Sequence, residues 1–515
     1  MIAALKPPAP LAFSHEQIMR VMWGIALCIF LSALDQTIVV PTVPAMAADL
    51  KGFGQLSWIV SVYLLTSTAA TPILGKLSDL YGRRAMLLSA IVIFTFASVL
   101  CGIARTLPEM VLFRGLQGVG GAGLIAMAHA TIADVASPRE RGRYQVYLSG
   151  TWGAASIVGP IAGGYLADHV SWRAIFWINL PLGLLAFLLT LRTLSILPRR
   201  SDRIAHIDYA GAALLTIAVT AGLLLLSWGG NEYGWTSTTI LGLGALAALS
   251  LAALAVVERA RPDPLLPGRL FANSVARSGF ALSFCNAVCM MGATFLLPLY
   301  FQFMRGADAS SSGVQLMPFL FAFVVMSYVG GKMARRVGRT KWLMVLASAI
   351  TGAGLVLMAT TDETTGVALS TLYVVIVGGG IGLIQPCITM TVQNAVEPGD
   401  LGVATSGTLL FRMIGGAFGA TMVGAIVTGV FNADLRNLGL TSHISLGTMH
   451  AARDLTGGAA NISPAAIERA LDSGFHFAFL GCAAMAGLGF LIALAAKDPM
   501  LRTTAHLTPK TGETT

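Results

Sequence analysis

The chain has 515 residues, of which 55% are hydrophobic and only 11% charged, and its formal net charge is +9. Soluble globular domains carry about 25% charged residues, so this chain has too little charge to cover a water-facing surface. Its long apolar runs are continuous rather than alternating, which argues against membrane strands. The composition therefore predicts an all-α integral membrane protein.

Fourteen apolar runs are each long enough to cross roughly 30 Å of hydrocarbon as a helix. Two blocks of six runs flank a pair of runs in the middle of the chain. In chain order the runs lie near 21–44, 56–75, 85–104, 108–130, 144–167, 173–193, 207–228, 237–257, 278–302, 313–334, 341–360, 367–392, 401–430 and 474–496.

The runs divide the chain into an N-terminal half, an insert and a C-terminal half. The predicted parts are a cytoplasmic N-terminus (1–20), a six-helix half (21–200), two inserted transmembrane helices (201–265), a second six-helix half (266–496) and a cytoplasmic tail (497–515). A long external loop is expected at 431–473, where Ser463 would cap a short helix that begins at Pro464.

Basic residues are distributed unevenly over the predicted loops. With the N-terminus inside, the inside loops hold clusters at 83–84, 139–143 and 332–341, whereas the outside loops hold isolated residues such as Arg105 and Arg173. This bias is the positive-inside pattern and predicts that both termini are cytoplasmic. Because the charge is spread over short loops, it does not indicate nucleic-acid binding.

An internal repeat supports the division into two halves. GKLSDLYGRRAMLL at 75–88 recurs as GKMARRVGRTKWLM at 331–344, with Gly, Lys, Gly and Arg at corresponding positions. Both copies follow the second span of a six-span block. The repeat predicts two homologous halves in parallel orientation.

The sequence gives no support for a nucleotide, metal or enzyme site. GVGGAG at 118–123 matches G-x-G-x-x-G, but no strand precedes it, and the chain has no P-loop sequence. The six cysteines lie in apolar spans without metal-ligand spacing to histidine. We therefore expect no cofactor, no metal, no nucleotide and no enzymatic activity.

Asp35 interrupts the first apolar run and Arg114 interrupts the fourth. An ionised carboxylate in mid-membrane costs at least roughly 2.5–3.5 kcal/mol, so it must face a cavity, a partner or a proton. Counting about 1.5 Å per residue places both side chains in the outer half, which makes Arg114 the natural counter-charge. Such a carboxylate can take up and release a proton. The alternatives are a fixed structural ion pair and an arginine that bonds to carbonyl groups.

The loop after the second span contains Gly75, Asp79, Gly82, Arg83 and Arg84. Gly82 permits a tight turn between two helices. Charges of both signs at the membrane edge can hold one conformation by ion pairs that break in another. The alternative is that the basic residues only fix the topology.

Several of these segments resemble motifs of a known family. GKLSDLYGRR resembles the loop signature of the major facilitator superfamily, and VLFRGLQGVGGA at 111–122 resembles its fourth-helix motif. GTWGAASIVGPIAGG at 150–164 resembles the fifth-helix motif associated with antiporters. LDQTIVVPTVP at 34–44 and WRAIFWINLPLG at 172–183 resemble fingerprints of the fourteen-span drug:proton antiporter group, DHA2. The chain differs from that group in having Val40 where Asn is common.

The resemblance implies a major facilitator fold and gives roles to particular residues. It assigns Asp35 and Arg114 to proton coupling and the 75–84 loop to a conformational switch. The antiporter-type helix would contain Gly159, Pro160, Gly163 and Gly164, whose spacing also predicts close helix packing. No acidic residue lies in the spans at 278–302, 313–334 or 401–430, where some relatives use carboxylates for cationic drugs.

Polar, aromatic and methionine side chains on central spans predict the substrate cavity. These residues are Tyr63, Gln117, Asn286, Met290, Phe295, Gln302, Gln385 and Arg412. Methionine and aromatic groups suit a pocket that accepts varied organic molecules, and Arg412 would attract anionic or polar substrate groups. For each residue a packing role is the alternative.

The sequence thus predicts a proton-driven antiporter that exports drugs, toxic organic compounds or an endogenous metabolite by alternating access. A proton-coupled uptake symporter for a small organic solute is the alternative. Expected partners are the lipid bilayer, protons and small organic substrates. A monomer is expected, with an adaptor protein as an option, in the plasma membrane (the inner membrane of a bacterium).

Overall fold

The computed structural model describes residues 15–39, 42, 46, 49–50, 57–136, 138–196, 209–229, 233–259, 268–305, 314–362, 365–397, 400–437 and 464–501. The first helices are α1 (His15–Ile38), α2 (Ser57–Tyr81), α3 (Arg83–Ile103), α4 (Leu107–Val135), α5 (Pro138–His169), α6 (Ala174–Trp177) and α7 (Asn179–Thr193). The insert contains α8 (Tyr209–Trp228) and α9 (Thr238–Arg259). The remaining helices are α10 (Gly268–Ala272), α11 (Ser274–Arg305), α12 (Met317–Val337), α13 (Lys341–Ala359), α14 (Val367–Asn394), α15 (Leu401–Asn437) and α16 (Pro464–Ala495).

Eleven helical stretches within the described residues are long and apolar enough to cross a membrane, and α8 is a shorter apolar helix. The predicted all-helical membrane fold is therefore confirmed. The count of fourteen spans and the cytoplasmic position of the termini stay predictions. Most of the predicted N-terminus and tail lies outside the described residues.

Both predicted boundaries of the first span differ from the helix. α1 begins at His15 rather than near residue 21, and Glu16 and Arg20 form an exposed ion pair one turn apart in this first part of the helix. α1 also ends at Ile38 rather than near residue 44, because Pro41 disfavours helical backbone in the residue before it and has no amide hydrogen to donate.

The sixth predicted span is divided into α6 and α7, with Ile178 between them. Pro181 lies in the first turn of α7 and cannot donate the amide hydrogen bond that would continue the helix from Trp177. The division places Asn179 at the first position of α7, deep inside the N-terminal half.

The predicted external loop at 431–473 is shorter in the structure. α15 continues to Asn437, and α16 begins at Pro464, so most of SPAAIERAL forms the first turns of the last long helix instead of a separate short helix. Residues 438–463, including the predicted cap Ser463, lie outside the described residues.

Each half packs around its own apolar core, and the two halves meet mainly along two pairs of helices, with further contacts of α4 with α15 and of α5 with α14. Within the N-terminal half α1 packs on α5, while α2 and α3 pack on α4; in the C-terminal half α12 packs on α14 and α11 on α15. The halves meet where α2 contacts α15 and where α5 contacts α12. In each pair, the second span of one half contacts the fifth span of the other, as expected for a duplicated fold. The inserted helix α8 packs on both α2 and α15.

Both copies of the sequence repeat make the same kind of turn. Gly82, between α2 and α3, has φ +89°, and Gly338, directly after α12, has φ +71°. A residue with a side chain would be strained at either angle, which explains the glycine at both positions. We call the end of the bundle that carries these two turns the turn end, and the other the opposite end.

A small polar network ties three connections together at the opposite end. The guanidinium of Arg173 donates to Asp49, and its Nη2 donates to the backbone oxygen of Ala104 at 3.0 Å. Trp172 Nε1 also donates to Asp49, at 3.1 Å. These two side-chain donors hold the pKa of Asp49 below its usual value. The network fixes the connections that lead from α1 and α3 and into α6, which together surround the site described next.

Candidate functional site in the N-terminal half

Four polar side chains meet inside the N-terminal half, and we call them the Asp35 cluster: Asp35, Arg114, Gln117 and Asn179. Asp35 lies one turn before the end of α1, and Arg114 and Gln117 lie one turn apart on α4. Asn179 comes from the break between α6 and α7. Each of the four side chains is at most 1% exposed. The cluster therefore needs three separate helices to form, and it is closed to solvent in this structure.

The carboxylate of Asp35 accepts three hydrogen bonds. Arg114 Nη1 donates to Oδ2 at 2.6 Å. Gln117 Nε2 donates to Oδ1 at 2.9 Å, and Asn179 Nδ2 donates to the same oxygen at 3.1 Å. All three donors stabilise the charged carboxylate rather than the neutral acid. The predicted pairing of Asp35 with Arg114 is confirmed, while its role in coupling stays a prediction.

Arg114 has further partners that hold its guanidinium in place. Nη1 also donates to Gln117 Oε1 at 2.8 Å, and Nε donates to the backbone oxygen of Ile59 at 3.3 Å. The guanidinium carbon lies 4.5 Å from the ring centroid of Tyr63 and 5.9 Å from that of Phe176. An arginine stacked on an aromatic ring keeps its charge at lower desolvation cost than one in aliphatic surroundings.

Asn179 joins the carboxylate to a second buried group. Its Nδ2 also donates to Ser98 Oγ at 3.0 Å, and Ser98 donates to the backbone oxygen of Phe176 at 2.9 Å. Asn179 Oδ1 is buried and has no hydrogen-bond partner among the described residues. A protonated Asp35 would need an acceptor for its new O–H. Rotation of the Asn179 amide by half a turn would bring Oδ1 of Asn179, instead of Nδ2, next to Asp35 and supply that acceptor.

The antiporter-type helix α5 contacts α1 directly beside this cluster. A Cβ added at Gly159 would lie 2.0 Å from Thr37 Oγ1, so only glycine fits there. Thr37 Oγ1 also donates to the backbone oxygen of Ala155 at 3.0 Å. At Gly164 an added Cβ would meet nothing within 4 Å, so the predicted close packing is wrong at that position. Gly163 is buried, and Pro160 is exposed on the outer face of α5.

The loop residues at the turn end form a second polar cluster. Arg83 is 5% exposed and donates to Asp79, to Ser78 and, at 2.9 Å, to Asp134 on α4. Arg84 instead donates to the backbone oxygen of Leu191, at 2.9 Å. Arg83 therefore joins α2, α3 and α4, whereas Arg84 fastens α3 to α7.

The same loop lies against the other half. A Cβ added at Gly402 would lie 2.2 Å from Asp79 Oδ2, so the carboxylate sits at the first turn of α15, where a helix N-terminus favours negative charge. One turn earlier on α2, a Cβ at Gly75 would lie 1.9 Å from Ser406 Oγ. These contacts hold the turn ends of the two halves together.

The predicted cavity residues fall into four places. Tyr63 is fully buried beneath Arg114 and Gln117 is within the Asp35 cluster, so neither faces open space here. Asn286 Nδ2 donates to Gln385 Oε1 at 3.0 Å inside the C-terminal half. Met290 and Gln302 are partly exposed on α11, and Phe295 is 42% exposed. Arg412 is partly exposed on α15.

Two site residues were missed in the sequence. Asn179 is uncharged and lies within the apolar stretch WRAIFWINLPLG, where a single amide gives no signal of a carboxylate partner. Asp134 comes 51 residues after Arg83, so its contact depends on the packing of α3 against α4. The described residues contain no group of three or more histidine, cysteine or acidic side chains that could hold a metal ion.

Comparison with known proteins identifies the family. The family model described as Major Facilitator Superfamily matches residues 25–217 and 209–420. The chain belongs to the Major Facilitator Superfamily. Among its relatives, "Multidrug transporter protein MdtP" of Bacillus subtilis is 37% identical over 404 residues, which are 78% of this chain and 74% of that protein. "Multidrug resistance protein 3" of the same organism is 31% identical over 417 residues, covering 81% of each chain.

Solved structures of the superfamily have the same fold. A human organic anion transporter matches with a TM-score of 0.63 at 15% identity, covering 95% of this chain and 100% of that one. A proton:xylose symporter matches with a TM-score of 0.61 at 15% identity, covering 94% and 96%. At this identity the likeness shows the fold alone. Because the chain belongs to this superfamily and its relatives are transporters, it is a multi-pass membrane transporter and not an enzyme, in accord with the predicted location in a bacterial plasma membrane.

Proposed function

We propose that this major facilitator protein exports small organic compounds in exchange for protons. The observation that carries the proposal is the buried Asp35 carboxylate, which Arg114, Gln117 and Asn179 hold inside the N-terminal half. An ionisable group at membrane depth is a functional candidate by default. The relatives named as a multidrug transporter and a multidrug resistance protein support export of organic compounds.

Protonation of Asp35 would change the electrostatics of the cluster. The neutral acid no longer balances the positive charge of Arg114. One carboxyl oxygen of Asp35 also becomes a hydrogen-bond donor, although the side chains around it are themselves donors. Protonated and deprotonated protein therefore favour different arrangements of α1, α4 and α7. Movement of one proton down a membrane potential supplies about 2.3 kcal/mol per 100 mV, which is enough to drive a sizeable concentration ratio.

α5 is suited to carry that change to the contact between the halves. Its Gly159 packs on Thr37, two residues from Asp35 on α1. About three turns earlier on the same helix, Ser149 Oγ lies 3.1 Å from Ser327 Oγ on α12 of the C-terminal half. A shift of α1 at Asp35 thus acts on a helix that also touches the other half. This contact supports the role of an antiporter-type helix in alternating access.

The polar cluster that Arg83 forms with Ser78, Asp79 and Asp134 would determine which conformation is stable at the turn end. In this structure Asp79 is bound by Arg83 and lies against the first turn of α15. Separation of α2 from α15 removes the helix N-terminus from Asp79 while Arg83 keeps its contact with Asp134. A conformation that opens the turn end is therefore less favourable for Asp79, and a bound substrate or proton must offset that loss.

The test is efflux of fluorescent organic compounds from bacteria that lack their own efflux pumps. Cells carry wild type, Asp35→Asn, Glu16→Gln or no transporter, each with and without a proton uncoupler. Glu16 is the matched control because it is an exposed carboxylate on the same helix, paired with Arg20. We expect uncoupler-sensitive efflux that Asp35→Asn abolishes and Glu16→Gln leaves intact at equal membrane levels. Unchanged efflux in Asp35→Asn would overturn the role of Asp35, and uptake instead of efflux would favour the symporter.

A further inference from the structure

Arg412 has an unusual position in the C-terminal half. It lies about three helical turns from the start of α15 and farther from its end. Among the helices in the described part of the chain, it is the only Lys, Arg, Asp or Glu at least three turns from both ends of its helix. A charge at that depth is unfavourable unless it faces a partner or a cavity.

Arg412 has no partner for its charge in the part of the chain that the structure describes. Its partly exposed side chain makes no hydrogen bond or ion pair with any described residue. Arg114, the other arginine inside a helix at membrane depth, has a carboxylate, an amide and two aromatic rings around its guanidinium. The fold thus neutralises one intramembrane arginine and leaves the other available.

The side chain of Arg412 is directed toward the N-terminal half. One turn earlier on α15, Leu409 packs against Ile125 and Ala126 of α4. At the following position Met413 Sδ accepts a hydrogen bond from Thr71 of α2, at 3.8 Å. Position 412 lies one turn from Leu409 on the same side of the helix, and its charge acts on His129 of α4.

The groups opposite Arg412 do not balance its charge. The ring of His129 on α4 is close enough to be affected by the charge of Arg412, but this ring is bound to the backbone oxygen of Ile125 at 2.9 Å. Asp35 is already bound by Arg114, Gln117 and Asn179 in a closed site. Among the described residues, the contact region between the halves therefore presents a cation without a carboxylate to neutralise it.

We infer that the compounds this protein exports carry an anionic group, a carboxylate or sulfonate, that pairs with Arg412 between the two halves. This inference rests on the proposed export function and specifies its substrate class. The planar guanidinium binds both oxygens of such a group through two parallel N–H donors. Met413, which follows Arg412 and is partly exposed, offers an apolar contact to the body of an amphipathic anion.

The test is binding of a matched pair of dyes to purified protein in detergent. The probes are 5-dimethylaminonaphthalene-1-sulfonate and the corresponding uncharged sulfonamide, which share the fluorescent body and differ in the anion. We expect the wild type to bind the sulfonate at least about tenfold more tightly than the sulfonamide, the scale of a charge-assisted pair. Arg412→Gln should remove that preference. Arg436→Gln, a charge removed from the last turn of the same helix, should retain it.

Three results would overturn the inference: equal affinity of the wild type for both dyes, a preference that survives in Arg412→Gln, or a preference lost equally in Arg436→Gln. If Arg412→Gln does not fold, Arg412→Lys decides. Lysine keeps the charge but loses the paired donors, so sulfonate binding should weaken severalfold while sulfonamide binding stays constant. Equal weakening of both dyes would contradict the pairing.

This experiment separates the substrate class from the mechanism of export. Binding is measured without a proton gradient, so Asp35→Asn protein should retain the preference for the sulfonate even though its transport fails. If the wild type shows no preference for the sulfonate but still exports uncharged dyes in a proton-driven way, the anion site is refuted and the proposed export function stands.

Discussion

Asp35 Oδ2 accepts a hydrogen bond from Arg114 Nη1 at 2.6 Å, and both side chains are buried within one half of the transporter. The ion pair does not lie at the contact between the halves. A change in its charge must therefore reach that contact along α4, whose Ile125 packs against Leu409 of the other half, or through a neighbouring helix. α5 is such a helix, because Gly159 packs on α1 beside Asp35 while Ser149 bonds to Ser327 of the other half.

Removal of either member of this pair leaves a buried charge without its partner. We expect Arg114→Gln and Asp35→Asn each to lower the free energy of unfolding by about 3–5 kcal/mol. The double variant should lose less free energy of unfolding than the sum of the losses in the two single variants, because it leaves no buried charge without a partner. Denaturant titration in mixed micelles measures all three. Arg20→Gln, which breaks an exposed pair, should change the value by less than about 1 kcal/mol. Additive effects in the double variant would show that the two side chains do not interact energetically.

Asn179 should position the Asp35 carboxylate. Asn179→Ala removes a donor to Asp35 Oδ1 and the bond to Ser98, and we expect proton-driven transport to fall about tenfold. Asn286→Ala is the matched control, since it removes a buried amide pair with Gln385 in the other half. The readout is the ratio of proton-driven transport to transport driven by a substrate gradient alone. Asn179→Ala should lower this ratio and Asn286→Ala should not; the same ratio in both variants would refute the assignment.

Gly75 should be intolerant of any side chain when the turn ends are together. A Cβ there would lie 1.9 Å from Ser406 Oγ and 2.8 Å from Ser406 Cβ. We expect Gly75→Ala to slow transport several-fold and Ser406→Gly in the same protein to restore it, because the second change removes the clashing atoms. Gly164→Ala, where an added Cβ meets nothing within 4 Å, should be neutral. Failure of the Ser406→Gly rescue would mean that contact between α2 and α15 is not what limits the Gly75→Ala variant.

We expect the contact between Ser149 and Ser327 to open during each transport cycle. Their Oγ atoms are 3.1 Å apart, close enough for cysteines at both positions to be joined by oxidation. We expect oxidised Ser149→Cys/Ser327→Cys protein to stop transporting and to recover on reduction. Ser149→Cys alone should be insensitive to oxidant, since the six native cysteines are buried. Normal transport by fully cross-linked protein would contradict movement at this contact.

Charge and helix depth predicted part of the site, and packing determined the rest. Asp35 and Arg114 could be paired from the sequence because two opposite charges at similar membrane depth have few other partners. Asn179 could not be found in this way, because its place depends on the break between α6 and α7. Tyr63 and Gln117 were expected in a substrate cavity, and their side chains instead surround the ion pair. Spacing along a helix predicts the side of the helix on which a residue lies, but it does not predict which other helix packs against that side.

The sequence predicted the membrane spans and the internal repeat well, but it predicted the ends of the helices less accurately. The matching glycines of the repeat anticipated the turns at Gly82 and Gly338, because only glycine adopts those backbone angles without strain. The beginnings of α1 and α16 were placed too late, since Glu16 and Arg469 are polar residues that a hydrophobicity criterion excludes from a helix. Polar first turns outside the hydrocarbon region are compatible with a continuous helix.

The central claim is that substrate export is exchanged for protons through Asp35. The most direct test is to reconstitute wild type and Asp35→Asn into vesicles containing a pH-sensitive dye, and to record the internal pH after adding a transported compound on one side. The account predicts substrate-dependent proton movement opposite to the substrate in the wild type and none in Asp35→Asn. Equal proton movement in the two proteins, or substrate transport in the wild type with no change in pH, would contradict it.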